Sequence, residues 1–173
     1  MKFINVNMTK QSINVTPVPE QFLGLGGRGL TSVMINAKVP PACDPLGPEN
    51  LLIIAPGALS GTSFPNTSRV SIGAKSPLTG TIKESNAGGT IGAALGRLGI
   101  TAVVIEGQAP KNSLFVLKID GQGNATLLEA DGYKGMKTYP AVEKLLDQYG
   151  EKNSVLVIGP AGEYQLTSAS IQA

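Results

Sequence analysis

Apolar and polar residues alternate from Lys2 to Asn7 (KFINVN), the period of a strand with one buried face. The alternation returns at Ser12-Ile13-Asn14-Val15 after a short polar break, which predicts a hairpin. From Val18 to Val39 the spacing becomes that of a helix in two pieces. PEQFLGLGG is short and glycine-ended, whereas GRGLTSVMINAKV carries an apolar face at Leu30, Val33 and Met34. Pro40, Pro41 and Pro45 then stop regular structure. Leu51 to Ala55 is a continuous apolar run closed by Pro56-Gly57, as in a buried strand, and Arg69–Ala74 and Gly80–Ser85 predict two more. The small-residue segment TIGAALGRLG predicts a tightly packed helix after Gly88-Gly89, and Thr101–Glu106 reads as another strand. Leu114–Ile119 and Ala125–Leu128 flank Asp120-Gly121-Gln122-Gly123, a hairpin loop. Lys137–Tyr149 is an amphipathic helix with Val142, Leu145 and Leu146 on its apolar side. Val155–Ile158 is again a strand, and Leu166 to Ile171 starts a last one.

These strands come in bursts with irregular helix insertions rather than in strict strand–helix alternation. The expected class is α+β, mostly β, with mixed or antiparallel sheets and a few short helices. The 22 glycines and 12 prolines agree with a turn-rich fold. Residues 1–173 read as a single domain without internal repeat, and the ending Ser170-Ile171-Gln172-Ala173 reads as a cut in a longer polypeptide.

Composition narrows the chemistry. There is no histidine and one cysteine, Cys43, so this chain contains neither a nucleophile–histidine pair nor enough thiolates for a zinc site or an iron–sulfur cluster. Cys43 follows Pro40-Pro41 and reads as a structural thiol. A net charge of +2 without a basic cluster gives nucleic-acid binding no electrostatic support. No apolar run approaches the roughly 20 residues that span a bilayer, the N-terminus lacks a signal-peptide core, and a cytoplasmic location is expected.

What remains are small-residue segments carrying isolated polar groups. Between Leu51 and Gly107 the chain strings Gly, Ser, Thr, Ala and Pro around one arginine strand and one asparagine turn. Glycine lets backbone N–H groups approach a ligand, and such groups form anion-binding concavities. Arg69 leaves a small-residue loop and enters a strand, which suits its planar fork to phosphate recognition; the alternative is a surface arginine paired with a carboxylate. Asn86-Ala87-Gly88-Gly89 offers an amide and bare backbone before a helix, for a phosphate or the edge of a heterocycle; the alternative is a helix cap and a packing glycine pair. Gly24-Leu25-Gly26-Gly27-Arg28-Gly29 has dinucleotide-fingerprint spacing, but a helical pattern precedes it instead of a strand. It reads as a helix end and turn, or as backbone approaching a ligand with Arg28 as its charge. Lys75 is either a further cation at the same site or a solvated loop lysine.

Taken in order, these segments resemble the N-terminal domain of the aldehyde ferredoxin oxidoreductase family, the tungsten- or molybdenum-pterin enzymes. KFINVNMTK, GGRGL, DPLGPENLLIIAPGALSGTSFP, SRVSIGAKSPLTG, SNAGGTIGAALGRLGITAVVIEG and IGPAGE match collinearly over nearly the whole chain. The resemblance implies a largely β base for a metal–bispterin cofactor in an enzyme that oxidises aldehydes to carboxylic acids. It implies that Arg69, Asn86, Ala87, Gly88 and Gly89 face one pterin, with Arg28 and Lys75 as further candidates, and that a loop carbonyl helps hold a magnesium ion between the pterin phosphates. The 4Fe–4S cluster, the acid–base residues and the electron transfer to ferredoxin belong to remaining domains or a partner subunit. A glycine-rich GRGG-type segment of the family is not in this sequence. The isolated chain is expected to be inactive and to self-associate through the face its partner covers. The competing reading is a non-catalytic binding module that uses the same fold for another phosphorylated ligand or a protein.

Overall fold

The computed structural model describes residues 1–173. Strands β1 (Lys2–Asn7) and β2 (Ser12–Pro17) form the expected antiparallel hairpin. A single 3-10 turn, Glu20–Phe22, is all that forms of the first helical piece; the second is helix α1, Gly27–Lys38. Then come β3 (Leu51–Pro56), β4 (Val70–Lys75), β5 (Ile82–Ala87), α2 (Ile91–Arg97) and β6 (Ile100–Glu106). These strands make one six-stranded sheet in the order β2-β1-β6-β3-β4-β5. Only β1 and β6 pair in parallel, so the sheet is mixed, as the irregular element order implies. The chain continues through the hairpin β7 (Phe115–Ile119) and β8 (Ala125–Glu129) and helix α3 (Thr138–Tyr149). A short ladder follows, from β9 (Val157–Ile158) and β10 (Ile171–Gln172), separated by the single turn α4 (Pro160–Glu163). No helix is long and apolar enough to cross a membrane.

Strand alternation sorts the sheet's side chains onto two faces. Phe3, Ile53, Ala55, Ala102 and Val104 pack beneath α1, with Leu30, Met34 and Ile35 of that helix buried over them. Ile4, Val6 and Val103 face the other way, towards Leu95 of α2 and towards Leu117, Ile119 and Leu127 of the β7–β8 hairpin. The buried stripe of α1 differs from the expected one: Val33 is 44% exposed, while Thr31 and Ile35 are buried. The cause is Gly73 in β4. A β-carbon there would stand 2.7 Å from Thr31 Cβ and 3.1 Å from Ile35 Cδ1, so the absent side chain is the space into which α1 settles.

Helix α2 uses glycine in the same way. A β-carbon at Gly92 would overlap the carbonyl of Ser68, and one at Gly96 would overlap that of Ser60. The small residues of TIGAALGRLG therefore bring the helix against the Gly57–Ser68 loop. Gly96→Ala is expected to lower stability by about 1–3 kcal/mol through overpacking, which exceeds the roughly 1 kcal/mol of helix propensity that Ala gains over Gly. Gly29→Ala, where an added β-carbon meets nothing within 4 Å, is the control and should be neutral or stabilising in the same thermal unfolding experiment.

The β7–β8 loop is closed by Asp120, whose carboxylate accepts the backbone N–H of Asn124 at 2.9 Å, its side-chain amide at 3.0 Å and the N–H of Gln122 at 2.9 Å. The Asn124 backbone N–H, followed by its side chain, holds this carboxyl below its ordinary 3.8. A carboxyl depressed on folding contributes stability that is complete above the unfolded value and is lost as pH falls through the folded one. A side-chain carbon titration by NMR should accordingly place the Asp120 midpoint below 3.8.

Candidate functional site

Several of the residues singled out by sequence meet at one corner of the sheet, where β4 begins, β5 ends and α1 starts. The backbone of Arg69 is fixed first. Its carbonyl accepts the N–H of Gly57 at 3.0 Å, and Ser60 Oγ donates to the carbonyl of Thr67 at 2.6 Å. Because α2 presses on the same loop, the segment leading into Arg69 has little freedom. The side chain of Arg69 then lies along Asn86: Nε donates to Asn86 Oδ1, and Nη2 to the Asn86 carbonyl at 3.2 Å. Asn86 Nδ2 in turn donates to Ser71 Oγ at 3.0 Å. Asn86 sits directly opposite Ser71 in the β4–β5 ladder, so this bond is a cross-strand pair on the α1 face.

Two residues earlier on that face, Glu84 pairs across the ladder with Gly73. Its Oε2 accepts Arg28 Nε at 2.8 Å; the glutamate side chain is only 7% exposed while that of Arg28 is 74% exposed. The other oxygen, Glu84 Oε1, is buried without a partner. Arg28 lies in the first turn of α1, whose N-cap, Gly26, supplies no side-chain bond. A β-carbon at Gly26 would overlap Ala58, so glycine is needed there for the helix start to dock on the Gly57–Ala58 backbone. Gly24–Gly29 is thus a turn and a helix start where a helix end and turn were expected, and a 3-10 turn precedes it instead of a strand.

Gly88 and Gly89 behave differently from Gly92 and Gly96. A β-carbon at Gly88 would meet only Arg69 Nη1, at 3.7 Å, and one at Gly89 would meet nothing within 4 Å. Gly89 has φ +90°, a conformation that favours glycine. Both line an open cleft of about 440 Å³ with Ile91, Tyr139, Val142 and Leu146. Ala87 stands opposite Val70 and so turns its side chain to the other face of the sheet; towards Arg69 it offers only main chain.

Lys75 does not join this corner. It is the last residue of β4, opposite Ile82, and it is buried. Its Nζ donates to the carbonyls of Cys43 at 2.6 Å and Pro41 at 2.7 Å. Strand pairing draws it out of the loop in which it was expected, and its ammonium ties the proline-rich segment to the sheet. Cys43 is a buried free thiol in the same core. Asn86 and Ala87 likewise extend β5 beyond its expected end and do not cap α2, whose N-cap Thr90 makes no side-chain bond. Glu84 and Ser71 were not foreseen as part of the corner. Glu84 had one legible signal, its place two residues before Asn86 in a strand.

The corner offers two arginines with unused Nη groups, an amide and exposed glycine backbone: donors for phosphoryl oxygens and for a heterocycle edge. No three His, Cys, Asp or Glu residues stand close enough to hold a metal ion. This donor set fits an anionic organic cofactor that carries its own metal ligands. The family described as aldehyde ferredoxin oxidoreductase, N-terminal domain, matches residues 3–173, and the chain belongs to that family. A tungsten-containing aldehyde ferredoxin oxidoreductase of Pyrococcus furiosus is 38% identical over 98% of this chain, which spans 28% of that protein. A glyceraldehyde-3-phosphate:ferredoxin oxidoreductase of the same organism is 33% identical over 72% of the chain and 17% of its own length. The fold superposes with TM-score 0.91 and 29% identity on a chain of the active site complex BamBC of benzoyl coenzyme A reductase, covering 99% of this chain and 26% of that one.

Lys75→Met is expected to destabilise the fold by about 1–3 kcal/mol, because the buried Cys43 carbonyl and the half-buried Pro41 carbonyl lose a charged donor. Its unfolding midpoint should fall well below that of Arg69→Ala, which truncates an exposed side chain. Equal midpoints would place Lys75 outside the structural role its contacts give it.

Proposed function

We propose that this chain is the N-terminal, cofactor-cradling part of a tungsten–bispterin oxidoreductase that converts an aldehyde and water into a carboxylic acid, two protons and two electrons. The observation that carries this is the Arg69–Asn86–Ser71 relay ending beside Gly88-Gly89, donors held in place with one side open. Arg69, Asn86 and the main chain of Ala87, Gly88 and Gly89 would hold one pterin, with Arg28 at its margin. When bound, the group supplies the two-electron redox chemistry. This chain's residues bind and orient it: Arg69 by its remaining Nη donor, Asn86 by fixing the guanidinium plane, Gly88 and Gly89 by leaving room for close approach. A main-chain carbonyl of the Asn86–Gly89 stretch would also help hold a magnesium ion at the pterin phosphates.

The chain covers 28% of tungsten-containing relatives. We accordingly assign the 4Fe–4S cluster, the acid–base residues and the docking of ferredoxin to further domains or a partner subunit. Separated from them, the chain would lack activity and tend to self-associate. In the full-length protein, Arg69→Ala should lower tungsten and pterin content together by tenfold or more. The readout is elemental analysis and pterin fluorescence after oxidative release. Undiminished loading of both would remove Arg69 from the cradle.

A further inference from the structure

We draw no further inference here: the strongest candidate, the open apolar cleft between the start of α2 and helix α3, lined by Gly89, Ile91, Tyr139, Val142 and Leu146, is an unpartnered face, and nothing in the structure shows what covers it.

Discussion

Helix α2 touches the loop before Arg69 backbone to backbone. Gly92 and Gly96 leave no side chain between helix and loop, and the carbonyls of Ser60 and Ser68 occupy the space. Contact this close is stiff, because there is no rotamer to adjust. It holds the loop against the sheet, so that Arg69 enters β4 from a fixed direction. On the opposite face, the missing side chain of Gly73 seats α1 and thereby places Arg28 over β5. One helix seated on the loop at glycine and another seated on the sheet at glycine thus determine where two guanidinium groups stand.

The chemistry of the corner follows from what those groups can and cannot do. Arginine keeps its charge at any physiological pH and donates in a rigid plane, so it binds and orients but does not shuttle protons. Asn86 accepts from one arginine and donates to a serine, which fixes its amide orientation. Groups of this kind suit the holding of a reactive group in place. This agrees with its membership in the aldehyde ferredoxin oxidoreductase N-terminal family and with relatives that are several times longer.

Much of this was legible in the sequence. Period-two alternation located β1 and β2, apolar runs located β3 and β6, and turn chemistry located the β7–β8 hairpin. Arg28, Arg69, Asn86 and Gly88 were visible as isolated polar or small residues in the right segments, though not as neighbours, because nothing local says that β5 lies beside β4 under the start of α1. Lys75 was misplaced for a related reason: its burial depends on the proline-rich segment around Cys43 folding back over the end of β4, a contact 32 residues away in sequence. The glycines divided in a way no composition argument reaches. Gly92 and Gly96 serve packing within the chain, whereas Gly88 and Gly89 border open space. Val33 was assigned inward and Ile35 was missed because the hollow at Gly73 rotates the buried stripe of α1 by one position.

The central proposal is that the Arg69–Asn86 corner, with Gly88 and Gly89, receives one pterin of a tungsten-bearing cofactor. A crystal structure of the full-length, tungsten-loaded protein, with anomalous data at the tungsten edge, tests it most directly. The account predicts pterin density within hydrogen-bond distance of the free Nη1 of Arg69 and alongside Gly88-Gly89. Tungsten and pterin located elsewhere, with this corner closed by a carboxylate from another domain, would contradict it.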